Sequence, residues 1–143
     1  MRKYVSIRSL LFFAEAWLLL AAARLILIFV PFRRIAPLLG KNIIGQLPLL
    51  QIITTVQVQQ NVRIAISRAC TRSPWRTKCF EQALAAKIML RNRSTVSIIY
   101  FGVHIKNDDA NTMLAHAWLE SGGIRVTGGK NIYPFSVIAG FKS

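Results

Sequence analysis

Carboxylates are nearly missing from this sequence. Glu15, Glu81, Asp108, Asp109 and Glu120 are its only acidic residues among 143, against 19 Lys and Arg, so the formal net charge is +14. That imbalance favours an anionic partner: an acidic peptide, a nucleic acid or an anionic membrane face. No RNP or zinc-finger signature is present and the basic residues are scattered, which argues against nucleic acid. Cysteine is also scarce. Cys70 and Cys79 are the only two, too few for a secreted disulfide scaffold of this length, and they read as free thiols in a reducing, cytoplasmic compartment. Together with His104 and His116 they match no compact zinc module, because no close ligand pair starts the site, so no metal is expected. Internal repeats and low-complexity tracts are absent.

Apolar residues, by contrast, make up 53% of the chain, enough for a real core. Residues 10–30 form a long apolar run interrupted only by Glu15 and Arg24. As a helix this run spans roughly 30 Å, the thickness of a bilayer core. Each aliphatic residue favours insertion by a few tenths of a kcal/mol, whereas each central charge opposes it by about 2.5–3.5 kcal/mol, so the sum lies near zero. Basic residues flank both ends, which sets no orientation. The balance favours burial against protein, with a membrane surface as the alternative. Pro31 ends the helix, because it lacks a donor and restrains the residue before it. Residues 32–39 form a short helix closed by Gly40. After Pro48, residues 49–69 carry a helical stripe of Ile52, Ile53, Val56, Val62, Ile66 and Ala69, and Ser73-Pro74 stops it.

Thr77 is placed to cap the next helix, which runs to about residue 92. Cys79, Ala83, Ala86 and Leu90 share one face of it, and the alanines allow close approach to a sheet. Arg91 and Arg93 suit the negative end of its dipole. The pattern then turns to strands: 96–103, 114–120, 124–127 and 135–141, with a polar loop over 106–112, a tight turn at Ser121-Gly122-Gly123 and a break at Gly128-Gly129. The expected fold is α+β. An N-terminal helical region (residues 1–60) precedes a core (61–143) in which one helix packs on an antiparallel meander.

Chemistry concentrates at two points. Cys79 falls in the first turn of its helix, where unsatisfied N–H groups stabilise a thiolate, with Arg76 and Lys78 adding positive potential. His116 lies on a strand from which an imidazole could take the thiol proton. On residue pattern alone, inert packing for the cysteine and a structural role for the histidine stand beside this reading. Glu120, Thr127 and Asn131 are candidates for a third member that orients His116. Asp108 and Asp109 read as a solvated loop pair.

The stretch Ser-Pro-Trp75-Arg-Thr-Lys-Cys79-Phe-Glu-Gln-Ala resembles a known family, as do Ala115-His116-Ala-Trp118-Leu and Val126-Thr-Gly-Gly129. It is similar to the lasso-peptide leader peptidase in its split form, the peptidase-only maturation protein. The early helical segment and the closing Phe135-Ser-Val-Ile-Ala-Gly-Phe141 are similar too, so the resemblance covers nearly the whole chain. It implies a papain/transglutaminase-like fold with Cys79 and His116 as catalytic pair, Trp75 and Trp118 as candidate site walls, and no cofactor. It further implies a precursor leader peptide as substrate, a separate leader-recognition protein, and an ATP-dependent lasso cyclase that closes the macrolactam afterwards. One position departs from the pattern: where some relatives carry a carboxylate after the histidine, this chain has Gly128. The site would then work as a dyad, or with a polar side chain or backbone carbonyl holding His116. An acyltransferase on the same fold and a non-catalytic, membrane-associated scaffold are the alternatives.

Overall fold

The computed structural model of the chain describes residues 5–43, 56–106, 112–129 and 135–143. Helix α1 (Ile7–Phe29) opens with Ser6, whose hydroxyl accepts from the Ser9 N–H at 3.2 Å. It closes at Val30, which is extended ahead of Pro31. With a mean hydropathy of 2.1 over its best window, α1 is long and apolar enough to cross a membrane. Its inner stripe of Ala16, Leu20 and Ala23 is nevertheless buried in the protein's own core. Both charges inside the apolar run find partners there. Glu15 pairs with Arg93, which holds its carboxyl below the usual carboxylate range, and Arg24 pairs with Glu81 at 3.4 Å. The two residues fall on opposite sides of α1 and so straddle the buried stripe.

A short helix α2 (Phe32–Ile35) continues into a 3-10 turn (Ala36–Leu39), in keeping with the expected helix over residues 32–39. Gly40 follows at φ 114°, where a Cβ would stand 2.0 Å from the Lys142 carbonyl oxygen, so only glycine lets the two segments meet. Strand β1 (Lys41–Asn42) was not legible in the sequence, being only two residues long. Helix α3 (Gln57–Arg72) buries Val62, Ala65, Ile66 and Ala69. The first part of the helix expected from residue 49, with Ile52 and Ile53, lies outside the described residues. Helix α4 (Cys79–Arg91) begins after Lys78, so Lys78 rather than Thr77 is the cap. At its other end the Arg93 guanidinium donates to the Met89 carbonyl at 2.8 Å, as the helix dipole favours.

Four further strands follow: β2 (Ile98–Ile105), β3 (Met113–Ser121), β4 (Ile124–Thr127) and β5 (Ser136–Lys142). All pair antiparallel, and the architecture is α+β as expected. The meander is not simple, however. The order is β1-β5-β2-β3-β4, because β5 returns to pair with β2 instead of following β4. Periodicity reveals where strands lie but not their neighbours. The loop after β2 is bracketed by Lys106 N–H donating to the Thr112 carbonyl at 2.9 Å; Asp108 and Asp109 lie outside the described residues. The helices cover one sheet face, where Ala83, Ala86, Met89 and Leu90 join Ile99 and Leu119 in a single apolar cluster. Each fully buried large aliphatic side chain there stabilises the fold by about 1.5–3 kcal/mol.

Lys87 enters this core with its charge. Its Nζ donates to the Ser97 carbonyl at 3.2 Å, the Ser97 hydroxyl at 3.4 Å and the Phe141 carbonyl at 3.3 Å, joining α4 to the residue before β2 and to β5. Burial, and to a lesser degree the Arg91 charge, lowers its pKa from 10.5 to about 8. Between those two values the unfolded chain binds more protons than the folded one, so stability must rise with pH across that window. We expect a rise of order 1–3 kcal/mol in denaturant titrations, absent in Lys87→Met, which also loses stability at neutral pH.

Candidate active site

The segment leading to α4 is held at several points. The Ser73 hydroxyl donates to the Ala69 carbonyl at 2.8 Å and closes α3. The half-buried Trp75 ring lies 5.6 Å from that of Trp17 on α1, and its indole N–H is buried without a partner among the described residues. Arg24 reaches from α1 to the Arg76 carbonyl at 3.5 Å. Gln82 donates back to the Thr77 hydroxyl at 3.0 Å and carbonyl at 3.4 Å. Glu81, only 3% exposed, accepts from the Lys78 N–H at 3.2 Å, which is one half of a capping box. The reciprocal half cannot form, since an ammonium group accepts no hydrogen bond.

These contacts fix Cys79 as the first residue of α4, half-buried, on the end where orphan N–H groups gather. Cys70, on α3, is a different kind of thiol. Burial pushes its pKa up and the Glu81 charge adds to this, against a hydrogen bond with Thr77. The thiolate is the nucleophilic form, so this environment works against reactivity at Cys70.

His116 sits on β3 opposite Gly102 of β2. Its ring stacks on Trp118 at 5.8 Å and meets Phe135 at 5.2 Å. Gly102 leaves the space for this, since a Cβ there would lie 2.9 Å from both the Trp118 ring and the Phe135 Cβ. The Nε2 atom lies 2.9 Å from the Gly128 carbonyl oxygen. A carbonyl only accepts, so Nε2 carries the proton, and in the neutral ring Nδ1 holds the lone pair.

The other candidates are placed differently. Glu120 accepts from the Trp118 indole N–H at 3.2 Å and lies 3.6 Å from Arg125, so it makes no bond to His116. Arg125 in turn covers the Trp118 ring at 5.1 Å and donates to the Gly129 carbonyl. The Thr127 hydroxyl is buried with no partner among the described residues. Asn131 lies outside them. The orienting group that the structure supplies is therefore the main chain of Gly128. A carboxylate cannot stand there: Gly128 has φ 99°, and a Cβ would fall 2.3 Å from the Trp118 Cβ. Glu81 lies inside the Cys79 stretch and Gly102 outside the motifs; neither was legible as a site residue, since only packing gives them a role. Among the described residues no cluster of His, Cys, Asp and Glu converges on a metal position.

The thiol and the imidazole are not joined by a hydrogen bond in this structure. The pleat shows why. Ile99 and Leu119 face the helices, and the Phe80 ring lies 5.0 Å from Phe101, which pairs with Ala117. His116 alternates to the other face with Trp118 and Tyr100, whose rings stack at 5.6 Å. Strand β4 pairs with β3 only at Leu119–Ser121, so the flank of β3 beside His116 has no strand partner on that side among the described residues.

A family model described as the transglutaminase-like superfamily matches residues 17–140. No curated protein and no solved structure matches the chain.

Two substitutions probe this arrangement. Gly128→Ala should lose about 2–4 kcal/mol through the left-handed backbone and the clash with Trp118, and Gly128→Asp should do no better. Thermal unfolding measures the loss, and a freed His116 ring would show in its nitrogen chemical shifts. Glu81→Ala should cost about 1–3 kcal/mol, because a cap is lost and Arg24 is left unanswered.

Proposed function

The chain belongs to the transglutaminase-like superfamily, and from that premise we propose that it is a cysteine peptidase releasing the leader from a ribosomally made lasso-peptide precursor. The observation that carries the reading is the pair of preparations at Cys79 and His116. The thiol occupies the first turn of α4, and the imidazole is anchored through Nε2 with Nδ1 left to act as base. Their residue types suit the cysteine peptidase and acyltransferase chemistry of such domains.

In this scheme Nδ1 of His116 takes the Cys79 proton. The sulfur attacks the amide carbonyl joining leader to core, and N–H groups of the first α4 turn hold the oxyanion. The imidazolium then protonates the leaving amine, which is the core's new N-terminus. Water, deprotonated by His116, hydrolyses the leader acyl-enzyme and restores the thiol. Thiol and imidazole must meet across the open flank of β3, a closer approach than the free chain shows; catalytic hydrogen bonds often tighten only when substrate is bound. Trp75 and Trp118 are the walls beside the two reacting groups. The chain needs no cofactor for these steps. A separate recognition protein presents the leader, and an ATP-dependent cyclase consumes the freed amine.

The test is to incubate precursor, recognition protein and this chain, and to follow products by mass. Separated leader and core are expected, with turnover lost at least about a thousandfold in Cys79→Ala and His116→Ala and retained in Cys70→Ala. Cleavage unchanged by Cys79→Ala would refute the assignment. Transfer of the leader acyl group to an added amine, without hydrolysis, would make the chain an acyltransferase.

A further inference from the structure

Helix α1 has two apolar faces, and only one is used by the fold. Ala16, Leu20 and Ala23 line the inner face. On the opposite side Ile7, Leu11, Leu18 and Leu25 follow one another at helical spacing, and they are 78%, 66%, 61% and 58% exposed. Leu10, Ile28 and Phe29 widen this outer strip. The strip is about 35 Å long. No described element covers it, and it offers no polar side chain over its whole length. A monomer rarely leaves so large an apolar surface in water.

We propose that α1 lies flat in the surface of an anionic membrane, outer face down. Two observations select lipid as the occupant. The strip itself is purely apolar, and acyl chains, unlike the partner side of a protein interface, ask no hydrogen bond of it. Charge is complementary: the net charge is +14, and exposed Arg8, Arg33 and Arg34 stand at the two ends of the strip, none of them in a described ion pair. The helix does not cross the bilayer. Standing upright in lipid, it would have to abandon Arg93 and Glu81 or drag the charged ends of α4 in with it. Lying flat, it keeps both ion pairs on the protein side and buries only the strip.

The experiment is flotation of the full chain with vesicles of phosphatidylcholine mixed with phosphatidylglycerol, against vesicles of phosphatidylcholine alone. Binding is expected to the mixed vesicles, to weaken at high salt, and to fall at least about tenfold in Leu18→Glu, whose exposed position leaves folding intact by circular dichroism. A membrane-impermeant maleimide added outside should label both Arg8→Cys and Arg33→Cys, with the labelled peptide identified by mass because Cys70 and Cys79 are free thiols too. Protection of either one would mean a crossing helix and would overturn the proposal. So would a wild-type chain that never floats, or Leu18→Glu floating as well as wild type. Loss of a protein partner in Leu18→Glu with vesicle binding unchanged would overturn it in favour of a protein interface.

Discussion

The carboxylate of Glu81 is buried where few groups can answer it, and each that does belongs to a different part of the chain. Lys78 N–H fixes the start of α4, and Arg24 comes from the middle of α1 and touches the Arg76 carbonyl on the way. Remove Arg24 and the buried carboxylate keeps only the Lys78 N–H, a larger loss than the pair itself contributes. The position of Cys79 is therefore set by α1 as much as by its own helix. At the far end of α4 the Glu15–Arg93 pair repeats the arrangement, so α1 is held at two points and its apolar stripe cannot slide.

The histidine is set by a different device. Where a side-chain acid would normally orient the ring, a glycine carbonyl does so here. The substitution is physically sound because the orienting group only has to choose a tautomer and hold a plane. The same glycine is required twice over, for its backbone angle and for the space that Trp118 takes. Trp118 in turn is occupied on its other sides by Tyr100, Arg125 and Glu120, which explains why Glu120 is unavailable to the imidazole.

Much of this was legible beforehand. Helix α1 and its stop at Pro31, α4 with Cys79 at its head, and β4 to the residue follow from period, cap and turn chemistry. What was not legible depended on contacts between distant residues. The position of β5 beside β2 leaves no trace in local period. The cap lies at Lys78 and not at Thr77, with Glu81 turned back onto the Lys78 N–H and also held by Arg24, a partner from α1 that local pattern does not reveal. Motifs identified Cys79 and His116, but they do not encode that the two approach β3 from opposite faces; that follows from the pleat counted against Leu119. A backbone carbonyl is among the orienting groups the sequence allows, but which carbonyl reaches the ring is a matter of chain path that residue identity does not display.

Strand β5 has a consequence for how the molecule assembles. Helix α4 with β2, β3 and β4 is built from neighbours in sequence and can form early. Strand β5 must arrive from beyond β4 and then receive β1, so Lys41 meets Lys142 only after a loop of most of the chain has closed. Until then β2 shows a bare edge with Ile99, Phe101 and Val103 along it. An edge of that kind recruits any strand that comes near, including the same strand of another copy. The closure with the longest reach in sequence is thus also the one that covers the sheet's most adhesive edge.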